Sequence, residues 1–279
     1  MNQSLLVNDL LLVFVVICSM TIAILYPDFG ALFRNLPVYC LMANFFLSYL
    51  SIEFSSVWNV LKAHSRQIAM ITTIKLAILP VILFYIFDQS ASSYALSALL
   101  LTGVSTGVVA PFISNLVKGN SSLVLIAVVI TSTLAPFTLP ALIKILAVKQ
   151  VEVSFWEMIR MLATVIFVPI LAVEILRIFA SRLLRSLMKR QFPVSLVLFA
   201  IINLGIFYRY APFFKKDPYV ILMATAVAIV LAIIYCIAGI YLFRKSSMEN
   251  KLAGAVIFGN INNVLVIVFS SKFFGPIEP

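Results

Sequence analysis

Charge is scarce in this chain: 11% of its 279 residues are Asp, Glu, Lys or Arg, less than half the roughly 25% of soluble domains. Hydrophobic residues make up 63%, more than a water-soluble fold can hide, which excludes soluble enzymes, nucleic-acid-binding modules and disordered proteins. Histidine occurs once, at His64, and the cysteines Cys18, Cys40 and Cys236 lack a CxxC spacing, so neither a haem nor a zinc site is foreseen. Each cysteine falls in an apolar run and reads as a buried thiol. The chain has no HExxH, no GxSxG and no paired catalytic carboxylates, which argues against a membrane enzyme. The short alternating segments of a β-barrel are missing, and so is the filter-like repeat that would favour a channel.

What is present is nine long apolar stretches: Val7–Tyr26, Leu36–Leu50, Ile68–Phe87, Ala95–Val117, Leu123–Val148, Phe155–Ile178, Val194–Tyr208, Tyr219–Leu242 and Leu252–Phe274. Runs of about 20 apolar residues satisfy their own backbone as helices in lipid. The chain therefore reads as an all-α polytopic membrane protein, one transmembrane domain with no link long enough to hold a soluble one. The first stretch lacks a preceding Lys or Arg and a small-residue cleavage site, so it is a span and not a signal peptide. Sorted into alternate links, the basic residues number 11 on the side of the N-terminus, densest between Arg177 and Arg190, and 7 on the other. That bias places the N-terminus in the cytoplasm, with the chain in an inner or plasma membrane. Nine spans are an odd count, and Phe274-Gly275-Pro276 near the end reads like a turn ahead of a tenth helix.

Glycine is also rare, with nine in the chain, and four of them (Gly103, Gly107, Gly254 and Gly259) lie in the fourth and ninth stretches. Polar residues gather beside them: Thr102, Ser105, Thr106, Ser114 and Asn115 with Pro111 in the fourth, and Asn260, Asn262 and Asn263 in the ninth. Small residues alone can serve close helix packing. Two Gly-polar interruptions five stretches apart favour a transporter of inverted repeats, whose site is built by broken helices near the midplane. These nine residues are the candidate substrate site, the three asparagines foremost, because amides in lipid require partners.

On these segments the chain resembles the bile acid:sodium symporter family, within the wider group of bile, arsenite and riboflavin transporters. The resemblance rests on Tyr26-Pro27-Asp28, on Leu116-Val117-Lys118-Gly119-Asn120 followed by Ser132-Thr133-Leu134-Ala135-Pro136 and Pro140, and on Gly259-Asn260-Ile261-Asn262-Asn263. It implies ten helices in two inverted five-helix repeats, here about residues 7–148 and 155–279 with the second truncated. It also implies a panel domain, a core domain, and fourth and ninth helices that break and cross at the substrate.

The departures from the family pattern bear on the coupling ion. The family's ninth-span sodium ligands follow Glu-x-Gly-x-Gln-Asn, where this chain has Ile257-Phe258-Gly259-Asn260-Ile261-Asn262. Its fourth-span Ser-Asn pair falls on Ala110 and Pro111, and its fifth-span Ser and Thr on Val124 and Val128. Apolar side chains cannot replace the hard oxygens that a small cation needs. A third-span glutamine, five residues before a proline, falls on Lys75 ahead of Pro80. An intramembrane lysine is a functional candidate by default, so Lys75 is assigned as a tethered substitute for sodium and a candidate proton carrier. Snorkelling to the interface is the competing role.

The remaining charges read as interfacial: Glu157 with Arg160 and Glu174 with Arg177 as i,i+3 pairs, and Glu53 at the end of the second stretch. Trp58 and Trp156 read as interfacial anchors. The expected function is secondary transport of a small or amphipathic organic anion by alternating access, without the family's sodium sites, without a metal or other cofactor, and with no nucleic-acid partner. Sodium symport on backbone ligands alone, or a non-transporting receptor or channel, stays open beside it.

Overall fold

The computed structural model describes residues 3–50, 52, 65–147, 153–216 and 218–274. Glu53, Trp58, His64 and the Gly275–Pro279 turn lie outside them, as do Lys62 and Lys149 of the orientation count. In order, the helices are α1 (Gln3–Leu25), α2 (Pro27–Ala31), α3 (Pro37–Leu50), α4 (Ser65–Ser90), α5 (Ala95–Thr102), α6 (Ala110–Leu116), α7 (Ser121–Leu146), α8 (Phe155–Phe179), α9 (Ser181–Lys189), α10 (Gln191–Phe207), α11 (Ala211–Lys216), α12 (Pro218–Leu242), α13 (Met248–Gly259) and α14 (Asn263–Phe273). The described residues form no β-strand, only an isolated bridge between Thr106 and Ile261.

Each of the nine apolar stretches falls on a helix or on two helices separated by a break. Five helical runs are long and apolar enough to cross a membrane singly: Ser65–Ser90, Ser121–Leu146, Phe155–Phe179, Gln191–Phe214 and Leu222–Leu242. Shorter apolar helices include Leu11–Leu25, Pro37–Leu50, Ser92–Thr102 and Asn263–Phe273. Fourth and ninth are the interrupted stretches, split into α5 and α6 around residues 103–109 and into α13 and α14 around residues 260–262.

The chain divides into two compact units. One is drawn from Met1–Ser51, Phe167–Ile221 and Ile267–Ile277. At its centre α10 packs against α1 and α3 around Leu41, Phe45, Tyr49, Ile202 and Ile206. Its buried amide, Asn203, donates to the Ser19 hydroxyl at 3.0 Å. Arg177 pairs with Glu174 at 3.0 Å and donates to the carbonyls of Tyr49 and Leu50.

The other unit, drawn from Ile52–Ile166 and Leu222–Val266, holds both breaks. In it α7 packs against α4, α5, α6 and α13. Helix α12 meets α13 at a pair of glycines: a Cβ on Gly239 would lie 2.5 Å from the Gly254 carbonyl carbon, and one on Gly254 would lie 2.6 Å from Phe243 Cδ2. Only glycine lets two helix backbones approach this closely in lipid. Helix α4 widens into a π-turn over Ile74–Ile78, closed by the Leu79 amide donating to the Ile74 carbonyl. Pro80 explains it, because a proline ring clashes with the carbonyl four residues back and offers no amide to it. Such turns concentrate at functional positions, and this one carries Lys75.

Two local expectations are corrected. Cys40 is buried, but Cys18 and Cys236 are only half-buried, and all three are free thiols; these two lie on the partly open flanks of their helices. Glu157 and Arg160 form no ion pair, since both lie on the exposed face at the start of α8, where each is free to be solvated by itself.

Candidate functional site

Breaking a helix in lipid frees backbone groups that cost several kcal/mol each if left bare. Here each break supplies partners for the other. The Gly107 amide donates to the Asn260 carbonyl at 2.9 Å, and the Asn262 amide to the Ser105 carbonyl at 3.0 Å. These bonds flank the antiparallel bridge between Thr106 and Ile261. Gly107 makes the approach possible, since a Cβ there would strike the Asn260 side-chain oxygen and lie 3.0 Å from the Ile261 carbonyl. The crossing is thus two short extended segments paired between four helix ends.

Side chains then serve the helix ends. At the C-terminus of α13 the Ile257 carbonyl accepts from the Thr106 hydroxyl at 3.0 Å, and the Phe258 carbonyl accepts from Lys75 Nζ at 3.1 Å. At the C-terminus of α5 the Thr102 carbonyl accepts from the Tyr235 hydroxyl at 3.1 Å. The Thr106 amide donates to Thr131 Oγ1 on α7 at 3.1 Å. On the far side of the second break, Asn262 Oδ1 accepts from the Leu265 amide at 3.2 Å and caps the start of α14.

Lys75 is fully buried, so it does not snorkel. Its partner is the carbonyl one residue before the Gly259–Asn263 motif. Tyr235, Phe258 and Thr131 were not singled out from the sequence. Each lies in an apolar run, and its role depends on a partner 25 to 183 residues away.

The other candidate residues divide into three groups. Ser105, Thr106 and Asn262 are buried at the crossing with half-buried Asn260, while Ser114 is buried farther along α6, its carbonyl accepting from the Gly119 amide at 2.7 Å. Thr102 and Asn263 line a cavity of about 150 Å³ that also meets Ala228, Ala232, Tyr235 and Ile261. Its wall is mainly apolar, not polar as the glycine-polar pattern predicts, because the Thr102 and Thr106 hydroxyls and Asn262 Oδ1 are bonded to backbone groups. Pro111 opens α6, and Asn115 lies exposed near its end, accepting from the Ser121 hydroxyl at 2.6 Å. Among the buried polar atoms without a partner are Ser105 Oγ, Ser114 Oγ, Ser132 Oγ, Asn260 Oδ1 and Asn262 Nδ2.

The model of the sodium bile acid symporter family matches residues 10–217. The chain belongs to the sodium bile acid symporter family. Members of this family are transporters and not enzymes, and this member is a multi-pass membrane protein. The matched segment includes Lys75 and the first break, while the second break lies beyond it. A comparison with curated protein sequences finds no match.

Proposed function

We propose that this symporter-family chain is a secondary transporter of a small or amphipathic organic anion, working by alternating access, with Lys75 standing where its relatives hold a sodium ion. The observation that carries this reading is the buried Lys75 ammonium 3.1 Å from the Phe258 carbonyl. A helix C-terminus carries partial negative charge and favours a cation, which this chain supplies from its own side chain. Among the described residues Lys75 is the one charged side chain in the buried core, and no ion pair includes it. An uncompensated positive charge in a medium of low dielectric draws anions to its neighbourhood. Helix α14, capped by Asn262, begins at the same crossing and adds the positive end of its dipole.

In this reading the substrate contacts come from Thr102, Ser105, Thr106, Pro111, Ser114, Asn115, Asn260, Asn262 and Asn263. The nine stretches are spans of two inverted halves, with the N-terminus in the cytoplasm. A second reading, sodium symport, is favoured by one observation: Ser105 Oγ, Ser132 Oγ and Asn260 Oδ1 are buried oxygens without partners, and such oxygens suit a hard cation.

A thermal-shift screen of the purified protein against carboxylates and sulfonates, with and without sodium, selects a solute for counterflow in proteoliposomes. The expected result is exchange without sodium, abolished by Lys75→Gln. A strict sodium requirement together with undiminished exchange by Lys75→Gln overturns the assignment of Lys75 and leaves sodium symport.

A further inference from the structure

The Lys75 ammonium has three N–H donors, and only one of them meets an oxygen, that of Phe258 at 3.1 Å. Beside it lie two aromatic rings and, within electrostatic reach, the Cys236 thiol. Nζ lies 5.4 Å from the ring centroid of Tyr235 and 5.7 Å from that of Phe258, inside the roughly 6 Å over which a ring face attracts a cation. The two rings are 6.2 Å apart and tilted by 51°, and both residues are buried. Tyr235 is held by its hydroxyl on the Thr102 carbonyl, so its ring is fixed beside Nζ.

Two hydroxyl oxygens at the crossing are committed elsewhere. The Thr106 hydroxyl donates to Ile257, and Thr131 Oγ1 donates to Ala127 while accepting from Thr106. None of the unpaired oxygens at the crossing bonds Nζ. A desolvated alkali ion needs a shell of oxygens to replace its water. An ammonium group can be held by one carbonyl and aromatic faces.

We propose that Phe258 and Tyr235 form an ammonium-selective site around the Lys75 head group, and that this site, with the lysine side chain cut back, binds a small primary alkylammonium ion in preference to sodium. The place of this site in transport rests on the reading above, but its test does not require transport. Lys75→Ala removes the three terminal carbons and the nitrogen of the side chain, which is the outline of n-propylammonium. Thermal unfolding of the purified variant is followed with n-propylammonium chloride, sodium chloride at equal ionic strength, or neutral 1-propanol. The variant unfolds at a lower temperature than the parent, and n-propylammonium restores Tm by about 4 °C or more over sodium. Neither sodium nor 1-propanol matches it, and the added change Tyr235→Leu removes the recovery.

Equal recovery with sodium, equal recovery with 1-propanol, or none with any solute from a folded variant overturns the proposal. Should Lys75→Ala fail to fold, Lys75 is kept and Tyr235 is replaced by phenylalanines of increasing ring fluorination. Tm then falls with each step as the ring face loses its negative potential, and a flat series overturns the proposal. A preference for sodium leaves the transporter reading standing, whereas absent counterflow sinks that reading and leaves the ion selectivity as measured.

Discussion

Gly239→Ala sets two opposing effects against each other at the crossing of α12 and α13. Alanine improves helix propensity by about 0.8–1.0 kcal/mol over glycine, so the substitution would stabilise an uncrowded helix. Here the new Cβ would lie 2.5 Å from the Gly254 carbonyl carbon and 3.0 Å from the Ala255 nitrogen. Carbon contacts settle near 3.5 Å, so the helices must part locally by roughly 1 Å. The obstacles are backbone atoms, which cannot rotate aside. Overpacking costs about 1–3 kcal/mol, and an immovable neighbour puts this site toward the upper end. The net loss is about 1–2 kcal/mol, which at roughly 2–4 °C per kcal/mol lowers Tm by about 2–8 °C. Thermal unfolding in nanodiscs measures it, with Gly254→Ala expected to shift in the same direction. A Tm equal to the parent or higher would show that propensity prevails and refute the close crossing.

Thr106→Val keeps the shape of the side chain but strips the hydroxyl from the Ile257 carbonyl, and denaturation should show a loss of about 1–3 kcal/mol. Asn262→Ala removes the cap of α14 and should cost about 1 kcal/mol in the same assay. Tyr235→Phe keeps a ring beside Nζ and loses the bond to Thr102, so it should lower Tm less than Tyr235→Leu. In sodium-free proteoliposomes loaded with the solute chosen by thermal shift, a pH series of exchange separates the two roles of Lys75, and a flat profile marks a structural cation. A titration step in exchange by the parent protein makes Lys75 a proton carrier instead.

The breaks in α5–α6 and α13–α14 were legible in the sequence because helix-breaking and polar residues stand out against an apolar background. Gly103 to Gly107 and Gly259 to Asn263 interrupt the 3.6-residue pattern where the structure interrupts the helices. Lys75 was legible for the same reason, as a charge where lipid tolerates few. Tyr235 was not, since a tyrosine in an apolar run reads as packing or as an anchor, and its hydroxyl partner is 133 residues earlier. The sidedness of the polar groups was also hidden. Hydroxyls and amides facing a cavity are the expectation, yet the Thr106 hydroxyl and Asn262 Oδ1 bond backbone groups instead, and Ser105 is buried with its hydroxyl unpaired. Sequence spacing predicts that a helix breaks, but not which groups repair the break.

The pairing of the two breaks also sets the order in which the chain can be finished. The Thr106 hydroxyl and the carbonyl it reaches are 151 residues apart. At roughly 5–20 residues per second, a ribosome needs about 8–30 s to deliver the second break after the first. For that interval the Gly107 amide and the Ser105 carbonyl have no native partner, and hydrocarbon offers none. The first break must therefore wait beside water or the insertion machinery, and the fourth stretch takes its final place in the bilayer only once the ninth has been synthesised.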